Sequence, residues 1–181
     1  MKITILVEGK TEGACKAILV SFLKDRLQGV MPRLSFAVYD GRIPMGESLR
    51  RRVAVELEEP NASDYVIALT DVYTGCGEFL DAADAKAKMA IWVGTEPRFF
   101  PHVALYDFEA WLIPYWADIL ILAGHNQKSP GNEPELINHS KPPAHRLKAL
   151  FEIGKRRDSY VKPRDAERIL RKKDLMVAIN K

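Results

Sequence analysis

The chain has 181 residues, 47% hydrophobic and 28% charged, proportions that supply a core for one α/β domain and exclude a disordered chain. The net charge of +3 hides an asymmetry, because residues 141–181 hold 13 Lys and Arg against 5 Asp and Glu, and residues 1–140 hold 14 against 19. Two isolated cysteines, Cys15 and Cys76, exclude a disulfide framework or zinc finger, and the lack of a long apolar span predicts a cytoplasmic protein with no membrane partner.

Ile3 to Val7 form a β-branched apolar run that stops at Glu8, Gly9, Lys10, Thr11 and Glu12. That order predicts a strand, a tight turn and a helix capped by Thr11 that runs to about residue 28. Residues 34–39 read as a second strand closed by Asp40 and Gly41, and residues 48–59 as a charged helix with Leu49, Val53 and Leu57 on one side. A third strand over 65–70 ends at Asp71, and an exposed helix over 78–92 follows it. Residues 102–106 make the fourth strand, after which Asp107 is placed to cap a helix that Pro114 kinks or ends.

Residues 124–143 carry four prolines and predict a long surface loop or lid, and residues 145–151 and 163–180 predict basic helices. The last apolar run meets Lys181 without a helix terminator, which leaves room for the natural chain to continue. The alternation of elements predicts a mostly parallel four-stranded sheet flanked by helices. Residues 1–123 form its α/β core, with residues 124–181 as a loop and basic helical extension packed on that core.

Under this topology Glu8, Asp71, Asp107 and Glu109 all project from one edge of the sheet, where ligands of open α/β folds gather. A few carboxylates with water and phosphate oxygens suit a hard cation, Mg²⁺ or Mn²⁺, able to assist phosphodiester cleavage. Plainer readings stay open: Glu12 and Asp107 suit any helix terminus, and Asp71 suits a turn. Glu8, directly after a buried strand, needs a partner. The clusters Lys155-Arg156-Arg157 and Arg171-Lys172-Lys173 could neutralise nucleic-acid phosphates, form a solvated helix face, or meet an acidic protein. Gly9-Lys10-Thr11 lacks the earlier glycine of a phosphate-binding P-loop, since Thr4 stands there.

The segment Val7-Glu8-Gly9-Lys10-Thr11-Glu12, followed by Leu69-Thr70-Asp71-Val72-Tyr73, resembles the acidic signature of Toprim domains. These are the metal-binding domains of topoisomerases, primases and overcoming-lysogenization-defect nucleases. More narrowly, Val103-Ala104-Leu105-Tyr106-Asp107-Phe108-Glu109-Ala110-Trp111-Leu112 is similar to the His/Tyr-Glu/Asp-Phe-Glu-Ala-Leu-Leu segment of a Toprim-like family, the domain-of-unknown-function family 4276. Lys141-Pro142-Pro143-Ala144-His145-Arg146-Leu147 resembles that family's Pro-Ser-Lys-Arg-Leu segment.

The resemblance implies a Toprim-like fold and a Mg²⁺- or Mn²⁺-dependent nuclease acting on DNA or RNA in bacterial defence or genome maintenance. It implies Glu8 as the Toprim glutamate, Asp71 as the first aspartate of an Asp-x-Asp pair, and Glu109 as a family-specific acid near the metal. Tyr73 stands where the second aspartate is expected, a departure that Asp107 or Glu109 would have to offset. Lys155 joins Glu8, Asp71 and Glu109 as a candidate catalytic residue; Lys10, Glu12, Arg146, Arg171, Lys172 and Lys173 are candidate phosphate or nucleic-acid contacts. Two other readings remain. One is a non-catalytic module that binds nucleic acid or a separately encoded ATPase, with a homo-oligomer allowed. The other makes Asp71 a phosphoacceptor, which leaves Glu12 and the Asp-Phe-Glu segment unexplained.

Overall fold

Four apolar runs form four parallel strands: β1 (Lys2–Val7), β2 (Arg33–Val38), β3 (Tyr65–Val72) and β4 (Phe99–Leu105). The computed structural model describes residues 1–60, 62–72, 77–131, 133, 137, 141–154, 159–171, 173 and 175. Tyr73, Cys76, Lys155, Arg156, Arg157, Lys172 and residues 176–180 of the predicted last helix lie outside the described residues.

The strand order is β2-β1-β3-β4. The chain winds outward from β1 to β2 and then back across to β3 and β4, so winding reverses between β1 and β3. Such a switch point opens a crevice beyond the carboxyl ends of the strands. β3 runs two residues past its predicted end, pairing Asp71 with Ala104 and Val72 with Leu105. Asp71 therefore sits within a strand, on the opposite face from the buried Thr70 and Val72.

Helices α1 (Lys10–Ala14) and α2 (Lys16–Arg26) join β1 to β2 in place of one continuous helix. The chain tightens where Cys15 N–H donates to the Glu12 carbonyl at 3.1 Å, beside the weak helix former Gly13. Gly9, not Thr11, is the N-cap. Helices α3 (Gly46–Leu57) and α4 (Ala82–Val93) cover the other face. There Leu49, Val53 and Met89 pack on Leu6, Val66 and Phe99.

After β4 comes a 3-10 helix (Phe108–Tyr115) containing Pro114, then α5 (Trp116–Ala123), α6 (Pro143–Ile153) and α7 (Lys162–Leu170). Pro114, near the end of the 3-10 helix, has no N–H to donate to the preceding turn. Phe108, Leu112, Ile119, Leu147, Leu150 and Ile169 close a second core with Ile18 of α2, and α7 packs on α1. Ile137 is buried in this cluster, so the predicted surface loop has an internal anchor. No helix among the described residues is long and apolar enough to cross a membrane.

Helices α5 and α6 meet closely at Gly154, where an added Cβ would lie 1.9 Å from the Ala123 carbonyl oxygen. Gly154→Ala must push the two helices apart. Overpacking of this kind costs about 1–3 kcal/mol, at roughly 2–4 °C of melting temperature per kcal/mol. Scanning calorimetry should register that drop; an unchanged melting temperature would contradict this contact.

Candidate metal centre

Glu8 follows β1 directly and turns its carboxylate across the switch point onto β3. Its Oε1 accepts the Thr70 hydroxyl and the Asp71 backbone N–H, the latter at 3.2 Å. Beyond β2, Gly41 N–H donates to the Glu8 carbonyl at 3.0 Å. The next residue, Arg42, brings its guanidinium within 3.7 Å of Glu8 Oε1 and 3.2 Å of Glu78 Oε2, and donates to the Asp71 carbonyl at 3.4 Å. Burial pushes the Glu8 carboxyl above its ordinary range, against the Thr70 hydrogen bond and the Arg42 charge.

Asp71 shows the site's electrostatics most plainly. Burial first, then the charges of Glu8, Glu12, Asp107 and Glu109, push its carboxyl up to about 8. Carboxylates after β1, on α1 and in the turn after β4 therefore all act on the charge of one aspartate. Glu12 acts on it from the first turn of α1 and is itself buried. Gly9 leaves it room, since a Cβ there would come within 3.0 Å of Glu12 Oε2.

Tyr106 has φ 72, a left-handed conformation uncommon for a tyrosine, and turns the chain sharply out of β4. Asp107 follows, and its Oδ2 accepts the Ala144 N–H at 3.1 Å, at the start of α6, while making no cap bond to its own helix. Burial also raises Asp107. Glu109 is fully buried, its Oε1 accepting the Tyr160 hydroxyl and its Oε2 the Lys162 ammonium, each at 3.3 Å. Burial lifts the Glu109 carboxyl while Lys162 opposes the rise. Burial disfavours the Lys162 charge, but Glu109, Asp107 and Asp71 outweigh it and hold its pKa above the ordinary value.

These residues fit a hard divalent cation on two grounds. Glu12 Oε2 and Asp107 Oδ1 are buried with no hydrogen-bond partner among the described residues, a condition met by an ordered water, a ligand or an ion. The acids around Asp71 also crowd more negative charge than Lys162 and Arg42 neutralise. Among the described residues no group of three or more His, Cys, Asp or Glu side chains is already arranged to hold a metal. Mg²⁺ does not require one, because it keeps several waters and takes one or two carboxylates directly.

The family model for the Domain of unknown function (DUF4276) matches residues 7–181. The chain belongs to the DUF4276 family. Among solved structures it is similar to the C-terminal region of the Burkholderia pseudomallei OLD protein, with a TM-score of 0.50 and 16% identity over 97% of this chain and 90% of that one. A likeness at that identity is one of fold, and it places this DUF4276 chain with the Toprim-like α/β architecture of OLD proteins. Comparison with curated proteins yields no match.

Within the DUF4276 fold, Glu8, Glu12, Asp71, Asp107 and Glu109 come together electrostatically. Glu12 thus sits among the carboxylates, where its charge opposes a phosphate contact. Lys10 is exposed at the start of α1. Arg146 donates to the carbonyls of Lys141 at 2.9 Å and Ile137 at 3.1 Å, holding the loop before α6. Arg171 reaches Glu167 at 4.0 Å, and Lys173 bonds Asp118 at 2.7 Å. Lys155, Lys172 and Tyr73 are outside the described residues. Lys162 escaped the sequence reading because no motif separates one base of a basic tail from its neighbours, and no motif marks Arg42 or Tyr160 either.

A carboxyl whose pKa is raised by folding weakens the fold as it ionises. The loss is absent below the unfolded value near ~4 and grows until pH passes the folded one. For Asp71 that window ends at about 8. Without divalent cations, Asp71→Asn should match the wild-type melting temperature near the acid end of this window and exceed it at the alkaline end. The gain should be roughly 2–4 °C for each kcal/mol of relieved repulsion. Equal melting at both ends would show that Asp71 is not crowded.

Proposed function

We propose that this chain is a divalent-cation-dependent phosphodiesterase that cleaves nucleic acid, in the cytoplasm, as part of bacterial defence or genome maintenance. The single observation that carries the reading is the placement of Glu8 at the sheet's switch point, its carboxylate on the Thr70 hydroxyl and the Asp71 N–H, beside an Asp71 carboxyl that other acids push upward. Two further features support it: the orphaned oxygens of Glu12 and Asp107, and a lysine held beside the acids.

In this reading Glu8, Glu12, Asp71 and Asp107 offer the available oxygens to Mg²⁺ or Mn²⁺. Such an ion supplies an activated water and stabilisation for the leaving oxygen of a phosphodiester. Glu8 is oriented for its part by Thr70 and the Asp71 amide, and Arg42 steadies its charge. Lys162, whose side chain is about half exposed, can present its ammonium to a substrate phosphate and to the charge that develops there. Glu109 and Tyr160 act as positioning residues, since both oxygens of Glu109 are engaged by α7 and the segment before it.

Three measurements test this reading together. Mn²⁺ should raise the wild-type melting temperature, and Glu8→Gln should abolish the shift. Because the ion competes with a proton at Asp71, Mn²⁺ affinity should climb by about tenfold per pH unit below the Asp71 pKa of about 8 and then level off. With Mn²⁺ present, plasmid and single-stranded substrates should be cut, and Glu8→Gln should lower the rate at least about 100-fold. Lys162→Ala should lose cleavage while keeping the Mn²⁺ shift. Cleavage at equal rates by wild type and Glu8→Gln would overturn the assignment.

A further inference from the structure

One half of one sheet face is left uncovered. Val66 and Phe99 belong to the core beneath α3 and α4, so strand alternation turns Tyr65, Ile67, Leu69 and Asp71 of β3, with Phe100 and His102 of β4, onto the opposite face. None of these six is fully buried: Tyr65 is 38% and Phe100 42% exposed, His102 is exposed as well, and Ile67, Leu69 and Asp71 are half-buried. Among the described residues, the second core beneath α5 to α7 takes no member from β3 or β4.

The exposed rings stand in line with the acid centre. β3 and β4 pair in parallel with Ile67 beside Phe100, Leu69 beside His102 and Asp71 beside Ala104. At ~3.3 Å per residue, Phe100 lies about 13 Å and His102 about 7 Å before the level of Asp71. Tyr65 meets the Phe100 ring edge-on, with centroids 5.8 Å apart. Burial and the nearby charge of Lys86 lower the His102 pKa, so near neutral pH its imidazole is an uncharged ring. Lys86 is exposed and forms no ion pair among the described residues, whereas Lys88, two residues on, pairs with Asp84.

Exposed rings repeated along one strand face suit nucleobases, which stack on such rings where sheets bind single strands. A duplex keeps its base faces stacked inside and cannot use them. A protein strand added at this border is opposed by Pro101, which removes an N–H from the edge strand β4. We propose that this face of β3 and β4 is a stacking platform for single-stranded nucleic acid, with Phe100 as its principal ring and Tyr65 and His102 beside it. The proposal rests on the phosphodiesterase reading and adds the substrate class: a strand stacked along β4, its backbone near Lys86, runs onward to the carboxylates around Asp71.

Fluorescence anisotropy with a labelled single strand of about 16 nucleotides, in EDTA at low salt, reads binding apart from cleavage. The wild type should bind this strand at least about tenfold more tightly than the duplex of the same sequence. Phe100→Leu, which keeps apolar bulk and removes the ring, should weaken binding about fivefold or more, the loss of one stacked base, while Phe100→Trp should keep it. Circular dichroism should show both variants folded. Equal binding of single strand and duplex, a Phe100→Leu protein that binds like the wild type, or a wild type that binds no single strand would overturn the platform. Ring-dependent binding without Mn²⁺-dependent cleavage would instead uphold the platform and overturn the phosphodiesterase reading.

Discussion

Carboxylates packed together and shielded from water repel one another, and the strand ends of this fold hold Asp71 against exactly such company without releasing the strain. The protein could have relieved it with one well-placed arginine. Instead Arg42 is drawn off toward Glu8, Glu78 and the Asp71 carbonyl, and Lys162 is anchored on Glu109. Asp71, Glu12 and Asp107 are left without a cation of their own among the described residues, so ionising Asp71 costs stability unless something cationic arrives. Local destabilisation at a crevice of this kind is the usual mark of a site shaped for a ligand rather than for the fold.

The backbone imposes the crowding. Winding reverses between β1 and β3, so Glu8 leaves β1 level with Thr70, one residue before Asp71 on the adjacent strand. The two extra residues of β3 keep Asp71 on a rigid ladder, and the left-handed Tyr106 brings Asp107 and Glu109 back over the strand ends. The helical extension then closes the site from the far side, since Tyr160 and Lys162 both reach Glu109. Sheet, turn and extension thus share one set of charges, and the packing of α7 on α1 is part of the site's construction.

Much of this could be read from the sequence, for identifiable reasons. Strands of a parallel sheet are near-continuous apolar runs, so their positions stood out, and acids directly after such runs pointed to one edge. Asp71 inside β3 did not stand out, because a carboxylate on one face of a strand looks like a strand's end. The 3-10 winding after Asp107 did not stand out, because its apolar pattern matches an α-helix equally well. Glu12 occupies a first helical turn, where acids ordinarily face solvent and favour the helix dipole. Only the Gly9 approach and the packing of α1 turn it inward. Lys162 lies 53 residues from Glu109, among many bases, and nothing local announces the pairing.

The central claim is that Asp71 is a half-buried carboxyl under the charge of other carboxylates, and a carbon-13 NMR titration of its side-chain carbon tests it most directly. In the absence of divalent cations, the account predicts a midpoint near the value of about 8 that burial and the neighbouring acids impose. It also predicts a lower midpoint once Glu12 is replaced by glutamine. A midpoint at the ordinary aspartate value near ~4, unmoved by that replacement, would show that the acids do not converge.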